Sequence, residues 1–344
     1  MNIKKRLMTF IAVLLCGALI FSASGVIAAA YETADTGVRV RDPFVLEYDG
    51  VRYMYGTGLA WDGYGCVYST DLENWSEPVK VYEPQGACDG EGDWWAPECH
   101  YYNGSFYLFA TYRSAATGKR GVGIFRSSTP LGPFEIITDS HITPKESDSI
   151  DGTLYVDDDG QPWMVYVGEW TSAEDGIGTM MAAKLSDDLT SFVSEPVLLF
   201  RAKDGDRGNG FVTDGPFLYK TKGGRLIMLW SNFRDNSGYC VLVASSSNGK
   251  IDGKWRQQPG ALYKASDEHM DGGHAMLFTA DNGTLLMSIH SPNMETDENQ
   301  TTARFVPVVD TGDTLIMEEN SSIFTLVFYR IYYFFLRFAD IFQI

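Results

Sequence analysis

Short apolar runs broken by polar turns fill most of this chain, as in Tyr53-Met54-Tyr55, Phe106-Tyr107-Leu108 and Leu226-Ile227-Met228-Leu229-Trp230. Their alternation predicts β-strands, and no long segment carries a helical period. One unit recurs five times: a polar or acidic residue, an apolar strand, a Gly-bearing turn and a second apolar strand. The copies are Asp42-Pro43-Phe44 leading to Gly50, Ala96-Pro97-Glu98 to Gly104, Asp151-Gly152-Thr153 to Gly160, Asp214-Gly215-Pro216 to Gly223, and Gly273-His274 to Gly283. Successive turn glycines lie 54, 56, 63 and 60 residues apart, close to one four-stranded propeller blade each. The expected fold is all-β, a five-bladed β-propeller in a single domain.

A second repeat supports that count. Four of the blocks carry, further on, a Ser-rich segment ending in an aromatic: Ser69 to Trp75, Ser127 to Phe134, Ser186 to Phe192 and Ser246 to Trp255. These read as outer-strand turns whose aromatic packs between neighbouring blades. Thr302 to Val309 and Thr314 to Glu318 are expected to supply the outer strands of the fifth blade. The ends of the chain break the pattern. Lys4, Lys5 and Arg6, an apolar run from Leu7 to Phe21, and Ala28-Ala29-Ala30 read as a signal peptide, with the mature protein starting near Tyr31. Ile323 to Ile344 is apolar and aromatic, but Arg330, Arg337 and Asp340 interrupt it and argue against a membrane span. The expected division is therefore a signal peptide over 1–30, the propeller over 31–320 and an atypical apolar tail over 321–344.

Charge narrows the partners. The formal net charge of -18 becomes -21 once three signal-peptide cations are removed, and such a surface repels nucleic acids and anionic membranes. A neutral substrate suits it better. Four cysteines remain after the signal, Cys66, Cys88, Cys99 and Cys240, in no zinc-binding spacing.

The innermost strands of a propeller converge on one channel, so residues opening the blocks share a pocket. Asp42, Glu98, Asp151, Asp214 and His274 are expected to ring it, with Glu169 and Trp170 arriving from the end of the second strand of the third blade. One acidic residue before a strand is ordinarily a local turn or cap. Recurrence at five blade starts points to chemistry instead. Clustered carboxylates push some pKa values up, keeping one acid protonated beside an ionised neighbour, as glycoside hydrolysis requires. Trp61, Trp94, Trp95 and Trp170 are candidates for stacking on sugar rings, and Arg41, Arg113 and Asn232 for contacts to hydroxyls. Asp157-Asp158-Asp159-Gly160 lacks the distal glutamate of a calcium loop and reads as a turn.

Arg41-Asp42-Pro43-Phe44, Trp95-Ala96-Pro97-Glu98, Ile150-Asp151-Gly152-Thr153, Asp214-Gly215-Pro216 with Leu218-Tyr219-Lys220, and Gly272-Gly273-His274, in this order, together resemble glycoside hydrolase family 43. The resemblance covers about Val38 to Asp310. It implies a five-bladed propeller and an inverting exo- or endo-hydrolase of arabinofuranosyl or xylosyl linkages in plant cell-wall polysaccharides, and the signal peptide adds secretion to that expectation. It also implies roles: Asp42 as general base, Asp151 as the group that tunes the acid's pKa, and the first residue of the fourth block as general acid. That block usually opens with glutamate, and here Asp214 is one methylene shorter, with Glu169 the alternative acid. Glu98, Trp95, Trp170 and Arg113 are the expected substrate contacts. His274 would help hold a calcium ion in the channel, largely through water, beneath the sugar site, although a lone imidazole is a poor partner for so hard a cation. Two rival readings are a binding propeller that lost hydrolysis through position 214, and the retaining, fructan-cleaving family 32, whose Asn-Asp-Pro-Asn block is missing here.

Overall fold

The computed structural model describes residues 32–84, 88–205, 210–234, 238–296 and 299–342, so the expected signal peptide lies outside the described residues. After β1 (Ala34–Asp35), the first blade comprises β2 (Arg41–Tyr48), β3 (Val51–Thr57), β4 (Tyr64–Ser69) and β5 (Val79–Tyr82). The second comprises β6 (Gly90–Tyr102), β7 (Ser105–Ser114), β8 (Arg120–Ser127) and β9 (Glu135–Ile136), and the third β10 (Ser149–Val156), β11 (Pro162–Gly168), β12 (Thr179–Lys184) and β13 (Val197–Arg201). The fourth holds β14 (Asp214–Lys220), β15 (Leu226–Arg234), β16 (Gly238–Ser246) and β17 (Trp255–Gln257). Each is an antiparallel meander in chain order, so the five-bladed propeller expected from the repeats is the fold observed.

The fifth blade closes the ring. β18 (Gly273–Thr279), β19 (Leu285–Ser291) and β20 (Thr302–Asp310) are followed by β21 (Leu315–Met317), which pairs with the far end of β20 as the sequence suggested. What the sequence reading missed is β1, which pairs with β20 through Ala34 opposite Phe305 and Asp35 opposite Arg304. The first strand of the chain thereby fastens its last blade. A two-residue strand is too short to show any alternation, so only closure of the ring reveals it.

The aromatics of the second repeat lie between blades, as expected. Trp75 meets Phe305 of the fifth blade at 6.1 Å between ring centroids, and Trp255 meets Phe200 of the third at 6.4 Å. Phe134 is buried in a cluster with Tyr55 and Tyr82 of the first blade, and Phe192 joins one with Tyr107 and Phe109 of the second. Cys66, Cys88, Cys99 and Cys240 are all free thiols.

The tail corrects the expectation that no helix occurs. Residues Ile323–Phe342 form a helix, α1, whose Tyr333 is buried and donates its hydroxyl to Gln258 Oε1 at 3.0 Å. The Arg225 guanidinium lies 4.8 Å over the same ring. Because apolar residues surround most of α1, with Phe324, Phe328, Phe334 and Phe335 exposed, its sequence has no single polar face to betray a period. No described helix is long and apolar enough to cross a membrane.

Candidate active site

Every inner strand enters the channel through the same irregularity. Asp42, Ala96, Asp151, Gly215 and His274 all have positive φ, at 54°, 42°, 54°, 51° and 55°, and each sits where its strand slips register against the next. Such a kink costs a non-glycine residue free energy, and its recurrence turns one residue of each blade into the channel. At Gly215 a side chain is impossible, since its Cβ would stand 2.8 Å from the His274 ring.

The freed N–H at each kink finds a partner on the preceding blade. Ala96 N–H donates to Thr57 Oγ1 (2.7 Å), Asp151 N–H to Thr111 Oγ1 (3.0 Å), His274 N–H to Ser231 Oγ (2.8 Å) and Asp42 N–H to His290 Nδ1 (3.1 Å). These acceptors occupy one register position, opposite the residue before each kink. In the third blade that position is Val167, which has no acceptor, and Gly215 N–H turns instead to Asp151 Oδ2 at 3.0 Å. The carboxylate of Asp151 is thus locked between the third and fourth blades.

The same alignment corrects two positions. Asp214 does not share the register of Asp151 and His274 but stands one residue earlier, beside Gly215. Glu98 lies two residues past the kink at Ala96, buried within the channel wall, where His100 Nε2 approaches Oε2 at 3.2 Å. The block starts therefore fall at three different positions, one residue before the kink, at it, and two residues after it.

His274 is the hub. Its Nδ1 is 3.1 Å from Asp42 Oδ1 and 3.8 Å from Asp151 Oδ2. Burial works against its charge, but the two carboxylates prevail and raise its pKa to about 10. Burial alone would raise the Asp42 carboxyl as well. The His274 imidazolium outweighs it, and Asp42 is held below the usual carboxylate range while Oδ2 accepts the Thr57 hydroxyl at 2.6 Å. Burial and the charges of Asp42 and Glu98 lift Asp151 to about 6 against the pull of His274. Asp214 is raised well above the ordinary range by burial first and by the Asp151 charge next. Its Oδ2 accepts the Tyr239 hydroxyl at 2.9 Å, whereas Oδ1 is buried with no partner among the described residues. The two carboxyl groups are therefore pushed in opposite directions, Asp42 toward the ionised form and Asp214 toward the protonated one.

Glu169 belongs to a separate cluster. Arg120 clamps it from Nε (2.7 Å) and an Nη (2.9 Å), while its guanidinium lies 5.2 Å over the Trp95 ring and reaches Asp93 at 3.2 Å. Arg113 also pairs with Asp93. Both Glu169 oxygens accept from a cation, which leaves neither placed to donate a proton. Trp170 packs edge-on to Phe211 at 6.0 Å. Trp94 stacks on Tyr112 among the buried aromatics of the second blade and is structural. Asn232, buried, donates to Ala202 O at 3.3 Å, and Arg41 is held by Asn293 at 2.6 and 2.8 Å. Asp157 forms the turn expected of it, accepting from Asp159 N–H, Gln161 N–H and Trp163 Nε1–H. Trp61, fully exposed, follows Thr57 on the loop beside a cleft of about 500 Å³ lined by Arg41, Thr57, Gly58 and Asn293. Thr57, Arg120, Tyr239 and His290 were not foreseen; the signal for Thr57 and His290 was their common register at the ends of second strands.

A calcium ion takes six to eight oxygens. His274 turns Nδ1 to the Asp42 and Asp151 carboxylates, at 3.1 and 3.8 Å, which leaves Nε2 as the ring nitrogen that would face a channel ion, with oxygens drawn largely from water. Among the described residues, the three ligand atoms close enough to share an ion belong to Glu268, His269 and Glu319, within 4.8 Å of one another.

A five-bladed propeller whose channel holds carboxyl groups of opposed proton affinity has the pair that a glycoside hydrolase needs. The family Glycosyl hydrolases family 43 matches residues 36–308, and the chain belongs to it. That family includes members that bind calcium. The chain is 26% identical to an extracellular endo-alpha-(1->5)-L-arabinanase 1 of Bacillus subtilis, across 79% of this chain and 82% of that one. It is 25% identical to an extracellular exo-alpha-(1->5)-L-arabinofuranosidase of Cellvibrio japonicus, across 74% and 76%. Among solved structures, an endo-arabinase from Bacteroides thetaiotaomicron superposes with a TM-score of 0.71 at 34% identity, covering 81% of this chain and 98% of that one.

Proposed function

We propose that this enzyme is secreted and hydrolyses arabinofuranosyl linkages of arabinan-type plant polysaccharides with inversion at the anomeric carbon. The observation that carries the reading is the opposed electrostatics of Asp42 and Asp214 in one channel mouth. Asp214 gives its proton to the glycosidic oxygen as the bond from that oxygen to the anomeric carbon breaks. Water adds to the opposite face of that carbon and passes a proton to Asp42. Asp151 keeps the acid protonated through its negative charge, and the His274 imidazolium keeps the base ionised. The arabinan class is supported by the relatives named above, two of which are described as extracellular. The hydrolysis of debranched arabinan, xylan and their aryl glycosides tests the substrate class, and sugar released from xylan alone would replace it.

Removing the Asp151 charge lowers the pKa of Asp214, because that charge raises it. Asp151→Asn is therefore expected to move the alkaline limb of kcat/KM to lower pH, besides reducing the rate. A limb that stays in place denies Asp151 its tuning role.

Trp61 supports a polymer rather than the reacting sugar, being fully exposed on the loop beyond Thr57. Trp61→Ala is expected to raise KM for arabinan by about two- to tenfold, the worth of one aromatic contact, and to leave KM for an aryl arabinofuranoside unchanged. Parallel steady-state kinetics on the two substrates check it.

A further inference from the structure

Tyr239, on β16, is buried and held from every side. Its N–H donates to Asp271 Oδ2 at 3.1 Å, its carbonyl accepts from Gly272 N–H at 3.1 Å, and its ring stacks on His290 at 5.5 Å with 17° between planes. Gly273 gives the ring its space, since a Cβ there would stand 2.5 Å from Tyr239 Cε1. Gly273 thus seats a tyrosine whose hydroxyl meets Asp214, whereas Gly272 makes room for β19, its Cβ falling 2.6 Å from His290 O. His290 in turn accepts the Asp42 N–H at Nδ1, which also lies 3.4 Å from Asp42 Oδ1, so one stacked pair touches both carboxylates of the proposed reaction.

We propose that Tyr239 is the positioning residue for the proton donor, holding Asp214 by Oδ2 so that Oδ1 carries the proton to the glycosidic oxygen. This rests on the functional reading above, in which Asp214 is the acid. While Asp214 is neutral, the tyrosine hydroxyl donates to its carbonyl oxygen, and Oδ1–H, buried without a partner among the described residues, meets the glycosidic oxygen only when the carboxyl turns about the Tyr239 hydrogen bond toward bound substrate. As the Oδ1–H bond breaks and the proton passes to the departing oxygen, negative charge develops on the carboxylate. The same hydrogen bond then becomes charge-assisted and stronger, so it stabilises the transition state more than the ground state. The groups facing Asp214 are Asp151 from β10, His274 from β18, Asp42 from β2 and Tyr239 itself, and of these only His274 and Tyr239 favour its ionised form.

The test compares the parent enzyme with Tyr239→Phe on arabinan and on dinitrophenyl α-arabinofuranoside, whose leaving group needs no proton. The expected result is a loss of about 10- to 100-fold in kcat on arabinan, the worth of a hydrogen bond to a charged group, with KM unchanged and the aryl glycoside spared. The alkaline limb should move to higher pH. Incorporating 3,5-difluorotyrosine at position 239, which keeps the ring and strengthens the donor, should move that limb the other way, and it serves if the phenylalanine variant does not fold. Equal losses on both substrates with a fixed limb, or a fluorinated enzyme whose limb does not fall, would overturn the inference alone. A parent enzyme that cleaves no arabinofuranoside would overturn the functional reading with it.

Discussion

Asp214→Asn is expected to cut release of sugar from arabinan by about 10²- to 10⁴-fold in kcat while leaving dinitrophenyl α-arabinofuranoside hydrolysis near the parent rate. The difference comes from the leaving group. A sugar alkoxide cannot depart without a proton, whereas a dinitrophenolate can. Asparagine keeps the shape of the side chain and its contact with Tyr239 but has no acidic proton to give. Glu169→Gln provides the counter-experiment. Losing the Arg120 clamp frees a guanidinium that lies over Trp95, and the expected consequence is weaker substrate binding on both substrates alike. Were Glu169→Gln to show the leaving-group dependence and Asp214→Asn to lack it, the acid would be Glu169.

Asp42→Asn is expected to lose activity on both substrates, again by about 10²- to 10⁴-fold, because water must be activated whatever departs. Arabinan binding, followed by calorimetry, should survive. The Asp42 carboxylate accepts the Thr57 hydroxyl and faces His274, contacts that an amide retains in part, so the channel keeps its form. The two variants thus separate the two ends of the reaction: a base whose loss is indifferent to the leaving group and an acid whose loss is not. Retained activity in Asp42→Asn would remove the base assignment.

Spacing made the architecture legible. Five turn glycines at blade intervals and four Ser-to-aromatic segments forecast five sheets and the packing between them, and each aromatic sits where its repeat placed it. Two elements carried no such signal. β1 is only two residues long and gains its identity from pairing with β20, nearly the whole chain away, while α1 is apolar around most of its circumference. The site was legible as a set of carboxylates but not as an arrangement. Asp42, Asp151 and His274 share one register, and their motifs led straight to them. Asp214 precedes that register and Glu98 follows it, because the kinked residues there are Gly215 and Ala96, whose side chains announce nothing. Tyr239 lay beyond reach for a different reason. Its contact with Asp214 joins the third strand of a blade to the first, across a sheet twist that a linear pattern does not encode.

Proton NMR of early hydrolysis of an aryl α-L-arabinofuranoside and of arabinan by the unaltered enzyme tests the central claim most directly. The account predicts that the first sugar detected has the inverted, β-anomeric configuration and reaches the α form only by later mutarotation. A first product of retained configuration, or binding of arabinan with no product at all, would contradict it.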